Sequence, residues 1–455
     1  MITIVQNNSI SRVIGLEPDQ LKTLRYKVAY FNSSMWVRTK NKYKALTPLI
    51  DVHGQFATGL VKRTVRELWS MGIMANVVDN RIVPSYKKLR LVDRLKSFEP
   101  PLYPEQDVGA SAIAKSECGI LEMPTGIGKS RVIKEALVRT QRPSLIITPS
   151  SNLRSQTYSY LSESFGTDDV GLLKTGHNKP IIVTNYHAIK SKDAGYFKQF
   201  AQLYFDEFHN AAAEGVRDDF KDKLTEIYYR YGLTATNFRN DDGASIYLES
   251  ILSETLYSVS TIEAINKGYI RPLVSFFKDL KNNHAFATGN YRADVSKFID
   301  TNPERNEYAI ETARKMINNH IPTIILVDHV EHGRYLKDAL GGEGLFLNGQ
   351  DESAEYNMDM VKRFNNLEIP YLVGTSVLGE GVDTKACGAM INCSGGKARS
   401  ELQQKCGRPI RNFKNKSVAY YFDFIDNKQK HIKAHSNIRM KTVQEVYGKP
   451  INIVT

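Results

Sequence analysis

Cysteine is scarce in this chain. The four present, at positions 118, 387, 393 and 406, form no CxxC pair. That excludes the usual spacing of a structural zinc site and predicts thiols in a reducing compartment. No uninterrupted apolar run approaches the ~20 residues that span a bilayer. The opening MITIVQNNSI lacks a basic stretch followed by an apolar core, so no secretory leader is expected. Low-complexity segments and detectable internal repeats are absent as well. What is present is an ordinary globular composition, 42% apolar and 24% charged over 455 residues, enough for about three domains.

Acidic residues are short at both ends. Residues 1–100 hold 17 Lys+Arg against 7 Asp+Glu, and residues 411–455 hold 9 against 3, around a slightly acidic middle. The net charge of the whole is +12. Basic ends of this kind fit a polyanion such as nucleic acid. A generic solvated surface is the plainer alternative.

Residues 1–95 read as a small mixed α/β domain. VKRTVRELWSMGI (61–73) has helical apolar spacing, with Trp69 expected in the core rather than stacked on a base. KVAYFN (27–32) and ANVVD (75–79) are strand-like. SFEPPLYPEQ (97–106), with three prolines, reads as a linker. Apolar strands then alternate with helical patterns: CGILEM, SLIIT, IIVT, LYFD and YGLTA between residues 118 and 235, and TIILVD, GLFLN, PYLVGT, AMINC and VAYYFDF between 323 and 425. That alternation predicts two parallel sheets covered by helices. KGYIRP (267–272) reads as their connection.

Within this frame lie short strings with chemical content. MPTGIGKS (123–130) follows a strand and precedes a helix. Backbone N–H groups can there wrap a pyrophosphate at a helix N-terminus. Thr125, Gly126 and Gly128 belong to the loop; Lys129 is placed to neutralise phosphates and Ser130 to ligate Mg²⁺. The strict pattern GxxxxGK[ST] is not met, because position 123 is Met. DEFH (206–209) closes a predicted strand, where carboxylates face the phosphate crevice of a parallel sheet. Asp206 is the candidate Mg²⁺ carboxylate and Glu207 the candidate general base. In QKCGRPIR (404–411), Arg408 and Arg411 stand at i and i+3, expected on one helical face.

These strings, with GLTAT (232–236) and TSVLGEGVD (375–383), stand in an order that resembles the superfamily-two helicases over roughly residues 100–425. The resemblance implies two tandem RecA-like lobes, 96–265 and 266–455, preceded by the α/β domain 1–95. It implies ATP and Mg²⁺ as substrate and cofactor. Tyr103 and Gln106 resemble the adenine-reading Q motif, and Gln106 can both donate to and accept from a base edge. DEFH resembles the DEAH box with Phe208 in place of Ala, and His209, Thr234 and Thr236 would couple ATP to the track. Gly381 and Asp383 would touch ATP. Gln404 would help place the γ-phosphate, with Arg411 as the arginine finger and Arg408 beside it. Ser150, Arg154, Thr184 and Thr375 are similar to backbone-phosphate contacts of the family; local capping is the alternative for each hydroxyl.

GLTATNFR (232–239) resembles the form seen in motors of DNA repair, restriction and recombination, unlike the SAT of DEAD-box RNA helicases. LTPLIDVHGQFATGLVKRTVRELWSMG, RADVSKFIDTNPERNEYAIETARK and VDHVEHGRYL resemble segments of the phage UvsW-type recombination helicases. That family implies ATP-driven unwinding and branch migration of Holliday junctions, forks and displacement loops in recombination, repair or replication, with a phage origin and a place in the host cytoplasm. Lys62, Arg63 and Arg66 are the candidate duplex contacts of the first domain. The basic stretch 427–441 is either a second clamp or a helix packed on the second lobe. Other readings are a restriction-type duplex translocase, an RNA helicase, or a nucleic-acid-binding scaffold that is no motor.

Overall fold

Short strands, covered on one face, open the chain. The computed structural model describes residues 1–455 except 32–34, 36–39, 42–44, 92–100, 174–178, 213–222, 236–243, 282–290, 351, 379–381, 398 and 428–429. Strands β1 (Ile2–Gln6) and β2 (Ile10–Ile14) run antiparallel. β3 (Ala29–Phe31) and β4 (Leu46–Pro48) form a separate two-stranded ribbon. β5 (Gln55–Ala57) and β6 (Ala75–Asp79) complete a four-stranded sheet of order β5-β2-β1-β6. In β2 the residues alternate exposed and buried, as a sheet covered on one face requires. Helices Pro18–Lys27 and Val61–Ser70 bring Leu24, Val61 and Leu68 to Ile4, Val13 and Phe56 in one apolar core.

Seven strands follow: β7 (Cys118–Glu122), β8 (Ser144–Thr148), β9 (Val170–Leu172), β10 (Ile181–Asn185), β11 (Gln202–Asp206), β12 (Tyr229–Thr234) and β13 (Thr255–Ser258). Their order is β13-β7-β12-β11-β8-β10-β9, parallel throughout. β8, β10 and β11 are buried along their full length. Helices on both faces leave no wet side, which is why these strands read as apolar runs rather than alternations. A second sheet is built from β14 (Leu273–Leu280), β15 (Thr323–Leu326), β16 (Leu345–Leu347), β17 (Tyr371–Gly374), β18 (Ala389–Asn392), β19 (Ala419–Asp426) and β20 (Asn452–Val454). Its order is β16-β17-β15-β18-β19-β14-β20, again all parallel. These are two RecA-like lobes behind a small α/β region, the expected fold class.

The chain forms two units: Met1–Met123 with Gly128–Ser258, and Pro124–Ile127 with Val259–Thr455. The N-terminal sheet and the first lobe thus share a unit. Helix Ala244–Leu252 serves both cores there, with Ile246 in the N-terminal cluster and Leu248, Ile251 and Leu252 under the first lobe.

One local expectation is corrected, and one of two alternatives is met. The stretch read as a linker ends inside a helix, Pro104–Lys115, because proline is well placed in a first turn and Tyr103 with Gln106 closes a capping box. The basic stretch after Asp426 is the helix Lys430–Tyr447, of which Ile432, Ser436 and Arg439 are buried in the second unit. Arg439 is 2% exposed and makes a two-pronged pair with Asp423, at 2.9 and 3.0 Å. Burial pushes the Asp423 carboxyl up, but the guanidinium outweighs it and holds the acid below its usual range. Tyr421 and Asn392 also donate to Asp423, at 2.6 and 3.1 Å. Arg439→Ala strands that carboxylate, and the expected loss is about 3–5 kcal/mol of stability in the second unit. Urea melts followed by circular dichroism check this; a loss below about 1 kcal/mol would show that water reaches Asp423.

Candidate active site

β7 delivers the phosphate loop. Met123 N–H donates to Thr234 O at 2.8 Å, tying the loop to the end of β12. Helix Lys129–Thr140 begins immediately afterwards. Gly126 and Gly128 have φ of +90° and +92°, in the left-handed region that glycine enters without cost. A side chain at 128 would also strike Gln106, whose Nε2 lies 2.6 Å from the position of the missing Cβ. Lys129 opens the helix and is 8% exposed.

The carboxylates stand at the end of β11. Lys129 Nζ lies 3.0 Å from Glu207 Oε1. Asp206 is buried, and the Glu207 N–H donates to its Oδ1 at 3.0 Å. Burial, reinforced by the neighbouring Glu207 charge and opposed by Lys129, raises the Asp206 carboxyl to about 6. A bound cation would reverse that rise. Glu207 has φ of +50°, uncommon outside glycine, which is where the chain turns out of the strand. His209 Nδ1 is 3.3 Å from Thr234 Oγ1 and 3.5 Å from Glu207 Oε2. Burial depresses the His209 imidazole; Glu207 works against that and Lys129 with it. Phe208 replaces the small residue of the resembled box by filling space above Gly232, where a Cβ would come within 2.6 Å of its ring.

The second unit carries the other half of the candidate set. Helix Arg399–Gly407 holds half-buried Gln404 and stops before Arg408. Pro409 has no N–H to continue it. The two arginines therefore do not share a helical face as expected. Arg408 is buried, and its Nη1 donates to Val382 O at 2.9 Å and Thr384 Oγ1 at 3.3 Å. Arg411 pairs with Asp383, while its Nε is buried without a hydrogen-bond partner. Pro124–Ile127 pack in this same unit. A Cβ on Gly126 would lie 3.3 Å from Arg411 Cγ and the same distance from Ile270 Cγ2. Thr125 Oγ1 is another buried atom without a partner.

Two cations near Arg411 escaped the sequence reading. Lys416 donates to Lys385 O at 3.2 Å and Cys387 O at 2.9 Å. Burial, with Arg411 and Arg271 adding to it, lowers the Lys416 ammonium to about 8. The Arg271 N–H donates to Ile410 O at 2.7 Å. Arg271 and Lys416 thus add positive potential around Arg411, whose own charge is paired with Asp383. Arg271 was legible in KGYIRP only as a connector, and nothing marks Lys416 in the sequence.

The remaining candidates divide. Gln106 is buried, and its Oε1 accepts from Tyr103 N at 3.0 Å, so part of the expected base reader serves the helix cap. Ser130 is half-buried on the first turn. Ser150 caps helix Ser151–Phe165 by accepting from Leu153 N at 3.3 Å, and the Arg154 Nε is buried without a hydrogen-bond partner. Thr184 is fully buried, its hydroxyl donating to Asn185 O, so it presents nothing to a phosphate. Thr375 follows β17 and is 9% exposed. Lys62 and Arg66 share Glu254, at 2.6 and 3.3 Å, and Arg63 pairs with Glu249. Thr236 and Gly381 lie outside the described residues.

The family described as "Type III restriction enzyme, res subunit" matches residues 83–239, and "Helicase conserved C-terminal domain" matches residues 308–413. Together they span more than half of the chain. The chain belongs to the superfamily-two helicases. It is an ATP-dependent enzyme of that group, and it resembles uvsW, the ATP-dependent DNA helicase of Enterobacteria phage T4, at 22% identity over 75% of this chain and 71% of the relative. The DNA 3'-5' translocase XPB2 of Sulfurisphaera tokodaii is 22% identical over 74% of this chain and 82% of its own. Among solved structures, S. cerevisiae Dbp5 bound to RNA and ADP BeF3 superposes with a TM-score of 0.56 at 17% identity, over 78% of this chain and 89% of that one. That likeness concerns the fold alone. Among the described residues, no helix is long and apolar enough to cross a membrane.

Proposed function

We propose that this helicase is a DNA motor that unwinds and branch-migrates forks, four-way junctions and displacement loops. Residues 1–95 grip duplex arms, and the lobes 96–265 and 266–455 draw a strand past them. The observation that carries the ATPase half is the Lys129–Glu207–Asp206 cluster at the helix N-terminus beyond β7. The DNA half rests on the likeness to uvsW and on the +10 charge of residues 1–100.

Lys129 neutralises the phosphates, and Glu207 takes the proton of the attacking water. Among the described residues no cluster of three or more His, Cys, Asp or Glu could hold a metal alone. One hydroxyl, Ser130, and one buried carboxylate, Asp206, completed by phosphate oxygens and water, fit Mg²⁺, which keeps several waters and prefers oxygen. When bound, Mg²⁺ offsets negative charge on the phosphates. Arg411, beside two further cations and against the phosphate-loop segment 124–127, stabilises charge on the transferring group. The pair His209–Thr234 links this chemistry to β12.

The match to a restriction-enzyme family favours one second reading, a translocase on unbranched duplex. ATP turnover measured with four-way DNA, forked DNA, linear duplex and single-stranded RNA separates the two. Branch migration predicts the strongest stimulation by junctions. Equal stimulation by linear duplex supports the translocase, and stimulation by RNA alone overturns both.

A further inference from the structure

Trp69 is not in the core. It is 74% exposed near the end of helix Val61–Ser70, and Met74 beyond the turn is 83% exposed. The turn itself is open: nothing lies within 4 Å of where a Gly72 Cβ would stand. A bare tryptophan on such a corner is unusual, since its ring is the largest apolar surface a side chain offers. At 3.6 residues per turn, Lys62, Arg66 and Trp69 fall on one side of the helix. Val61, Thr64 and Leu68 occupy the buried side. Lys62 and Arg66 share the single carboxylate of Glu254 and stay more than half exposed, so the stripe keeps a positive surplus. Cations toward the helix start and an aromatic plate at its end match the two halves of a nucleotide, phosphate and base.

We propose that this face is a binding site for unpaired DNA, with Trp69 stacking on a nucleobase and Lys62 and Arg66 holding the adjoining phosphates. The proposal rests on the DNA reading above and deepens it: the N-terminal region recognises the unpaired bases of a branch point, as well as charge. Stacking is indifferent to base identity, so recognition reads unpaired structure rather than sequence.

The chain has two tryptophans, so Trp36→Phe leaves Trp69 as the sole indole reporter. The full chain carrying that substitution is titrated with three DNAs of equal length: a fork with unpaired arms, the same fork with abasic arms, and a blunt duplex. Quenching of Trp69 emission is expected with the first only. Trp69→Ala should weaken binding to the unpaired fork by about tenfold and leave binding to the abasic fork unchanged. Trp69→Phe should lose a smaller part. Basal ATP turnover without DNA should stay as in the parent. Unchanged emission with all three DNAs overturns the proposal, as does equal loss on intact and abasic forks. Emission that changes with protein concentration instead of DNA also overturns it, since a second copy then covers the face. Failure of the motor reading looks different: no DNA would stimulate ATP turnover, whatever the residue at 69.

Discussion

Glu207→Gln is expected to lower kcat for ATP by about 10³-fold while leaving nucleotide binding intact or tighter. The amide keeps the shape of the side chain but cannot accept a proton from water. Its effect on binding follows from the ion pair. Lys129 shares its charge with Glu207 across 3.0 Å, so neutralising the acid frees the ammonium for phosphate. Loss of the Glu207 charge also removes one of the two influences that raise Asp206, which favours the ionised form a divalent cation needs. Lys129→Ala should do the reverse. It removes a positive charge from a nearly closed site and costs nucleotide affinity on the order of 2–5 kcal/mol, as truncating one partner of a buried pair does. Steady-state turnover and titration with a fluorescent nucleotide separate the two outcomes: one variant binds without turning over, the other does not bind. A Glu207→Gln enzyme within threefold of the parent would remove Glu207 as the base.

This contrast works because the relevant side chains come from chain-local units that the sequence spells out. Strand, glycine-rich turn and helix at 118–140 could be read in order, and so could the strand that ends in Asp206 and Glu207. Each is a short stretch whose backbone direction fixes where its side chains point. Arg271 and Lys416 were not legible beside Arg411, because their proximity is made by the fold of the second unit and not by spacing. The tail could not be resolved from composition either. Arg439 counts as one more basic residue until β19 places Asp423 against it. Trp69 was not legible either. With 61, 64, 65 and 68 as i, i+3, i+4 and i+7, position 69 is i+8, at the margin of the apolar stripe, and only the packing of the helix shows that the stripe stops short of it. Thr184 is a separate case: the parallel strand that carries it is covered on both faces, so its hydroxyl is buried rather than offered to a phosphate.

Arg411→Ala is expected to reduce kcat by about 10³-fold with little change in the KM for ATP, the mark of a contact made chiefly in the transition state. Its guanidinium is held by Asp383 on one side, leaves Nε without a partner, and sits against the phosphate-loop segment 124–127. Arg408 provides the internal control. Its guanidinium is turned inward onto Val382 O and Thr384 Oγ1, so Arg408→Ala should cost stability of the second unit before it costs chemistry. Lysine at 411 restores the charge but not the planar fork, so only partial recovery is expected. Lys416 sharpens the test. With Arg411 gone, one of the charges that lower the Lys416 ammonium is removed, so that group should move back toward its ordinary value. A titration of Lys416 followed by ¹⁵N NMR in the two proteins reads this shift without reference to turnover. Should Arg411→Ala keep full kcat while Lys416 shifts, Arg411 is a neighbour of Lys416 and not the finger, which must then be sought elsewhere in the second lobe.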